Sequence, residues 1–333
     1  MTPERACNYV EDAMAHHTLK PGSRTLHGHF SPELPPSLSV DPGDTVRLTT
    51  LDAGWGLEPF GAEGKRAYFE PRSNIPGDDG HALLGPIEVR GAEPGMALSV
   101  QIGSIIPGAF GFNMAGGKFP EALNRALGAL GGETVRLDWT LDAEAMVGRS
   151  SSGHSVALRP FLGVMGMPPA EPGIHPTAPP RVWGGNLDCK ELTSGTTLYL
   201  PIPVSGAHFS AGDGHAAQGD GEVSGTAIEC PMTRADLTFD IREDMNLTVP
   251  RAKTETAWLS FGFHEDVNIA LQQALADMLT LMTELLGVSR KEALALASVV
   301  VDMRVTQVVN GVCGVHAALP HGALRFMGAA RPR

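Results

Sequence analysis

The 333-residue sequence lacks an apolar run of 18 residues, and its N-terminus lacks a positively charged, apolar signal segment. We therefore expect neither a membrane-spanning helix nor export. It also lacks an excess of basic residues: the net charge is −12, which argues against a nucleic-acid partner because phosphate binding needs clustered cations. The four cysteines lie far apart without a CxxC pair, which is typical of reduced thiols. These absences predict a soluble, cytoplasmic protein.

The sequence shows no GxGxxG after a predicted strand and no regular alternation of strands and helices, which excludes a Rossmann-type fold. Glycine and proline are abundant instead, with 40 and 26 residues, as expected for many short strands joined by tight turns. Residues 4–17 read as a short helix. Two helical patterns follow near the end, the second starting at a capping box formed by Ser289 and Glu292.

These patterns predict an α+β fold that is mostly β, with sandwich-like or barrel-like sheets and a C-terminal helical pair. The predicted units are an N-terminal helical segment (1–24), a β-rich catalytic core (25–265), and a helical pair with a closing strand (266–333).

Two stretches of the core, around 85–102 and 185–202, are similar at an offset of 100 residues. Gly85 aligns with Gly185, and Glu88 aligns with Asp188. Such internal similarity favours a duplicated β unit. The alternative is that any strand following a Gly-containing turn has this pattern, and the sequence leaves both interpretations open.

Residues 206–222, "GAHFSAGDGHAAQGDGE", place several ligand-type side chains among glycines. Asp213, His215 and Glu222 stand out, because imidazole nitrogen and carboxylate oxygen bind zinc and similar divalent ions. Glycine lets a backbone turn tightly around such groups. The spacing matches neither an EF-hand nor a helical HExxH motif. The segment is therefore interpreted as a turn between strands, either a metal or catalytic site or a hairpin with solvated acids.

A second group is "GGNLDCKELTSG", in which Asp188 and Lys190 would share one face of a strand. Such a pair can orient a substrate or move a proton, but it can equally be an ordinary salt bridge. Cys189 between them has no neighbouring base to activate it, so we interpret it as a buried structural thiol.

In the first half of the chain, His27, Asp52 and His81 lie near predicted strands. Isolated histidines are more often structural than ligating. However, both halves offer His and Asp residues, which makes a site shared between the halves a reasonable hypothesis.

Five motifs occur in order over residues 25–320: "PPSLSVDPGDTV", "LLGPIEVRGAEPGMAL", "GGNLDCKELTSGTTLYLPI", "GAHFSAGDGHAAQGDGEVSGTAIE" and "DMRVTQVVNGVCGV". Together they resemble the motifs of the acetamidase/formamidase family. The sequence departs from the family pattern at Phe30, in "LDAGWG" and at Met96. The first two departures flank the expected site, so the identity of the accepted amide is left open.

The resemblance implies a β-rich homo-oligomer, a dimer or larger, that hydrolyses a small linear amide to a carboxylate and ammonia. It also implies a bound divalent metal, for which zinc is expected first and calcium is the alternative. Since both halves of the sequence offer His and Asp residues, the metal ligands expected are His27, Asp52 and His81 from the first half and Asp213 and His215 from the second. Glu222 is expected to act as general base and then acid, while Asp188 and Lys190 orient the substrate or stabilise charge.

A tetrahedral ion binds four ligands, so at least one of these five residues must instead hydrogen-bond to the residues that bind the metal. Two other functions fit the same residues: a non-catalytic β-protein that binds a small ligand or a metal, and a hydrolase of cyclic amides or carbamates.

Overall fold

The computed structural model describes residues 14–70, 79–116 and 121–324. Within these ranges it contains 21 strands and three helices. The strands of the first half are β1 (His16–Leu19), β2 (Leu26–His27), β3 (His29–Phe30), β4 (Leu38–Val40), β5 (Thr45–Leu48), β6 (Leu83–Val89), β7 (Ala97–Pro107), β8 (Phe110–Ala115), β9 (Val135–Asp142), β10 (Val147–Ser150), β11 (Ser155–Ala157) and β12 (Phe161–Gly166).

The remaining strands are β13 (His175–Pro176), β14 (Gly184–Asn186), β15 (Thr197–Pro201), β16 (Phe209–His215), β17 (Met232–Arg242), β18 (Arg251–Lys253), β19 (Ala257–His264), β20 (Asp302–Gln307) and β21 (Cys313–Pro320). The helices are α1 (Glu121–Ala126), α2 (Val267–Leu286) and α3 (Arg290–Val300). Among the described residues, none of these helices combines the length and the apolar character needed to cross a membrane.

Two large sheets share the main hydrophobic core. The nine-stranded sheet has the order β1-β5-β17-β7-β15-β18-β19-β21-β20, and the six-stranded sheet has the order β14-β12-β16-β6-β2, with β4 paired to β6. Leu98 and Phe239 of the first sheet lie in the same buried cluster as Leu162 and Phe209 of the second. This confirms the mostly β, sandwich-like prediction. In the described ranges no sheet closes into a barrel, since each keeps two different end strands.

The predicted C-terminal helical pair is confirmed. Helix α3 begins where predicted, because the Ser289 side chain accepts a hydrogen bond from the backbone N–H of Glu292. Helix α2 buries Ala270 and Met278 against a cluster that includes Val315 of β21. Helix α3 ends at Val300, and the chain continues as strand β20.

The predicted N-terminal helix lies mostly outside the described residues, which begin at residue 14. Its last two positions are corrected: His16 and His17 belong to β1, which pairs in parallel with β5. The two similar stretches of the core occupy related places. Strands β6 and β14 belong to the six-stranded sheet, and β7 and β15 are hydrogen-bonded neighbours in the nine-stranded sheet. A duplicated β unit remains a prediction, and the related positions of these strands are compatible with it.

Candidate active site

The glycine-rich segment that begins the site is a buried strand rather than a turn. Strand β16 is buried at every position and pairs with β12 on one side and β6 on the other. Its glycines permit close backbone approach: a Cβ at Gly214 would lie 2.5 Å from the carbonyl oxygen of Cys230, and one at Gly212 would overlap that of Ala82. The interpretation of this segment as a flexible hairpin is therefore wrong for residues 209–215.

His215 occupies the centre of the site and uses its two ring nitrogens differently. Nδ1 lies 3.0 Å from Oε1 of Gln218, whose Nε2 donates to the backbone oxygen of Asp188 at 2.6 Å. This chain of bonds places the proton on Nδ1. Nε2 faces two carboxylates, with Asp213 Oδ1 at 3.2 Å and Glu229 Oε1 at 3.3 Å. A lone pair aimed at two carboxylates is unfavourable, so a cation, either a proton or a metal ion, belongs at this point.

Four carboxyl groups surround this histidine, and all four are buried: Asp188, Asp213, Glu222 and Glu229. Asp188, Asp213 and Glu222 adopt left-handed backbone conformations, with φ values of 45°, 58° and 45°. Such conformations are costly for residues other than glycine, and they concentrate at functional sites. The fold therefore holds these three side chains in place at an energetic cost.

Burial and the charges of neighbouring side chains together set the ionisation of the group. It raises the pKa of Asp188 and of Glu229 to about 7 and raises that of Glu222 well above its usual value, and neighbouring carboxylates add to each shift. Burial alone would raise the pKa of Asp213, but the charges of His215 and His81 lower it below its usual range. Burial alone would lower the pKa of His215, but Glu229 and Asp213 raise it well above its usual value.

Gly163 of β12 forms the floor beneath the charged group. A Cβ at this position would overlap Asp213 Oδ2 and would lie 2.7 Å from Asp188 Oδ1 and 2.8 Å from His215 Cε1. All three separations are shorter than van der Waals contact. The missing side chain leaves the space in which the two aspartates and the histidine converge.

The group opens into a cavity of about 540 Å³. Most of the cavity wall comes from loops between strands. Its small, apolar and amide residues include Gly28, Trp55, Phe112, Met114, Thr177, Asn186 and Asn310, and its ionisable residues include His81, Asp213, His215, Glu222 and Glu229. Asn310 also donates from Nδ2 to Asp188 Oδ2 at 2.6 Å, which fixes the position of that carboxylate.

Of the predicted residues in the first half, only His81 lines the cavity, and Thr177 Oγ1 binds its Nδ1 at 2.7 Å. His81 is not among the groups whose ligand atoms lie within 4.8 Å of one another. The prediction of His27 as a ligand is corrected, because its Nδ1 bonds to the His29 carbonyl oxygen and its Nε2 lies 3.0 Å from Ser210 Oγ.

Asp52 is also corrected as a metal ligand. Both of its oxygens are held by Arg66, whose Nη2 lies 2.9 Å from Oδ1, and the side chains of this pair are 0% and 2% exposed. The backbone N–H of Gly56 donates to Oδ1 as well, at 3.1 Å. Asp52 therefore neutralises a buried guanidinium behind the cavity wall.

Lys190 does not pair with Asp188 as the strand parity predicted. Strand β14 ends at Asn186, so Asp188 and Lys190 are not on one strand face. Lys190 Nζ lies 3.0 Å from Asp220 Oδ2, and Lys190 is not part of the cavity wall. It holds the loop that carries Glu222. Cys189 matches its prediction: it is 0% exposed, and burial raises the pKa of its thiol to about 12.

Sequence reasoning missed Glu229, Asn310 and Asn186. Glu229 lies in "TAIECPM", an apolar stretch that reads as a strand. An acid at a position with apolar neighbours on both sides was the available signal, since buried carboxylates need a partner. Asn310 and Asn186 gave no such signal, because single asparagines are common in loops and turns.

The fold and the site define a sandwich of β-sheets with a buried histidine–carboxylate centre. The chain belongs to the Acetamidase/Formamidase family, whose model matches residues 14–175 and 170–324. It is 27% identical over 248 residues to a formamidase of Methylophilus methylotrophus, covering 60% of each chain. It is 26% identical over 257 residues to an acetamidase of Mycolicibacterium smegmatis, covering 60% of this chain and 61% of that one.

A solved acetamidase structure from Bacillus halodurans has the same fold. It superposes with a TM-score of 0.77 at 27% identity, over 91% of this chain and 97% of that one. By contrast, the chain spans only about 60% of the length of the two named enzymes that it matches in sequence.

Proposed function

We propose that this chain hydrolyses the C–N bond of a small amide to a carboxylate and ammonia, using a divalent metal ion held at the buried centre. The observation that carries the proposal is His215 Nε2 between the carboxylates of Asp213 and Glu229, at the wall of a cavity. Membership of a family whose relatives are named formamidase and acetamidase supports the reaction type.

The residues present fit a metal ion. Asp188 Oδ1, Asp213 Oδ1 and Glu229 Oε2 are buried oxygens without a hydrogen-bond partner among the described residues. Uncompensated buried carboxylates are costly, and a cation removes that cost. Asp213, His215 and Glu229 would hold the ion, since their ligand atoms lie within 4.8 Å of one another. The imidazole nitrogen favours zinc over calcium, because calcium takes oxygen ligands.

An amide is a poor electrophile with a poor leaving group, so its hydrolysis needs a strong nucleophile, a stabilised oxyanion and a proton for the departing nitrogen. A bound divalent metal supplies Lewis-acid chemistry, acidifying water and polarising a carbonyl oxygen. Glu222 takes a proton from the attacking water on its carboxylate and returns it to the amide nitrogen. Its ligand atom lies in a group with those of Asp188 and His215.

The chain's other site residues hold this arrangement in place. Gln218 fixes the ring of His215, and Asn310 fixes the carboxylate of Asp188. Lys190 and Asp220 fix one side of the loop that carries Glu222, and Gly221 bonds to Thr306 of β20 at 3.0 Å on the other side. Lys190 therefore positions the base in our proposal and does not bind the substrate.

Two further expectations accompany this proposal. One is a homo-oligomer of two or more copies, which light scattering would test. The other is a cytoplasmic location, in keeping with the free thiols of Cys189, Cys230 and Cys313.

The test is product release from formamide, acetamide and propionamide by purified protein of known metal content. We expect ammonia and carboxylate in equal amounts, a loss of turnover on chelation, and recovery on addition of zinc. Metal binding without product from any amide would support the non-catalytic alternative and contradict the proposal. Full turnover by a metal-free preparation would retain the reaction but contradict the role of the metal.

A further inference from the structure

Asn186 is a buried amide side chain in the cavity wall that no step above uses. It ends β14, opposite Val164 of β12, and is 2% exposed. Its Oδ1 has no hydrogen-bond partner in the described part of the chain. An unsatisfied buried acceptor costs stability, and nearly all such groups in folded proteins are paired. An unpaired acceptor on a residue that lines a cavity points to a ligand that supplies the missing donor.

The neighbouring side-chain amides of the site already form hydrogen bonds with other protein groups. Asn310 donates to Asp188, and Gln218 bonds to His215 at one end and to Asp188 at the other. Asn186 is therefore the carboxamide of the cavity wall that remains for a ligand. Its donor and acceptor lie side by side on one planar group.

We propose that Asn186 recognises the substrate's amide group by pairing with it edge to edge, an inference that rests on the proposed function. Asn186 Oδ1 accepts the substrate N–H while its Nδ2 donates to the substrate carbonyl oxygen. This pairing requires the substrate to present C=O and N–H on the same edge. Primary amides do so, and so do small lactams, whose ring enforces the cis arrangement.

Open-chain secondary amides do not present that edge. Their trans form places the N-substituent beside the carbonyl oxygen, and the cis form is disfavoured by a factor of about 60. The site is therefore selective for primary amides and small lactams over N-alkyl amides. This selectivity arises from hydrogen-bond geometry and is separate from the metal chemistry.

The test compares acetamide, N-methylacetamide and 2-azetidinone as substrates of the wild-type protein and of Asn186→Leu. Leucine keeps the shape of asparagine and removes both polar groups. Acetate release measures the two open-chain amides, and ring opening measures the lactam. Asn186→Ser serves as the second variant in case the leucine variant does not fold, and melting temperature is recorded for both.

We expect wild-type kcat/KM for N-methylacetamide to be lower than for acetamide by about tenfold or more, because its trans form binds without the pairing and the cis form that could pair is about 60-fold less populated. Asn186→Leu should lower kcat/KM for acetamide and the lactam by about tenfold or more, because two hydrogen bonds are lost. Its rate on N-methylacetamide should not change, and its melting temperature should be equal or higher, because an unpaired polar group is removed. Equal losses on all three substrates would overturn the proposal.

Saturation-transfer NMR with the same three compounds separates this inference from the proposed function. Wild-type protein that turns over none of them contradicts the proposed function. In that case, binding of acetamide and the lactam but not N-methylacetamide, lost in Asn186→Leu, would still support the pairing. Binding of acetamide that is unaffected by Asn186→Leu would overturn it.

Discussion

Replacing Gly163 with alanine tests whether the space beneath the charged centre is essential. The added methyl group would overlap Asp213 Oδ2 and would lie 2.7 Å from Asp188 Oδ1 and 2.8 Å from His215 Cε1. None of these atoms can retreat freely, since the three side chains are 1–3% exposed. The substitution therefore forces the two aspartates and the histidine apart.

The expected effects differ in size between stability and activity. Overpacking a buried site by one methyl group costs about 1–3 kcal/mol, so the protein should still fold with a melting temperature lower by a few degrees. Displacing catalytic or ligating groups by about 1 Å can cost roughly 100-fold in rate. We expect a loss of at least that size in ammonia release from acetamide, together with a lower metal content.

Gly22→Ala is the matched control, because its nearest neighbour, Thr25 Oγ1, would lie at an ordinary 3.4 Å. The assay follows ammonia release, bound metal by elemental analysis and thermal unfolding for both variants. Gly163→Ala with wild-type turnover and metal content would refute the reasoning. A large loss of activity in Gly22→Ala would show that the assay reports general damage.

Two further predictions concern residues outside the proposed metal ligands. Cys189→Ser should keep more than about a tenth of the activity, since a true covalent nucleophile would cost on the order of 10⁶-fold; a loss of that size in acetamide turnover would contradict the buried-thiol assignment. Arg66→Met should lower the free energy of unfolding by about 3–5 kcal/mol, because it leaves the buried carboxylate of Asp52 unpaired. Denaturant unfolding measures this, and Asp52→Leu combined with Arg66→Met should restore much of the loss; equal instability of the double variant would contradict the pairing argument.

Patterns with a regular period or a cap could be predicted from the sequence. The helical spacing near the C-terminus and the capping box at Ser289 gave the helical pair, and Gly-containing turns before strand patterns gave β7 and β15. The density of His and acidic residues between 213 and 222 drew attention to Asp213, His215 and Glu222, which lie together in the buried centre. These signals are local, so a single stretch of sequence contains them.

The rest depends on contacts between distant residues. Asp52 looked like a free ligand because its partner Arg66 lies 14 positions away in a loop without a pattern. Glycine is ambiguous: in β16 it allows strands to approach closely, whereas the sequence suggested a flexible turn. Glu229 lies in the centre because the backbone at Cys230 runs beside β16, where the Cys230 N–H donates to the carbonyl oxygen of Gly214. No local pattern in the sequence indicates this contact.

The most direct test of the central claim compares His215→Ala with Glu222→Gln for metal content and amide turnover. In the proposed mechanism His215 binds the metal and Glu222 moves the proton, so the losses of metal and of turnover should separate between the two variants. We expect His215→Ala to lose both bound metal and activity. Glu222→Gln should keep the metal while its turnover falls by about 10²–10⁴-fold. Full metal content and near wild-type turnover in both variants would contradict the account.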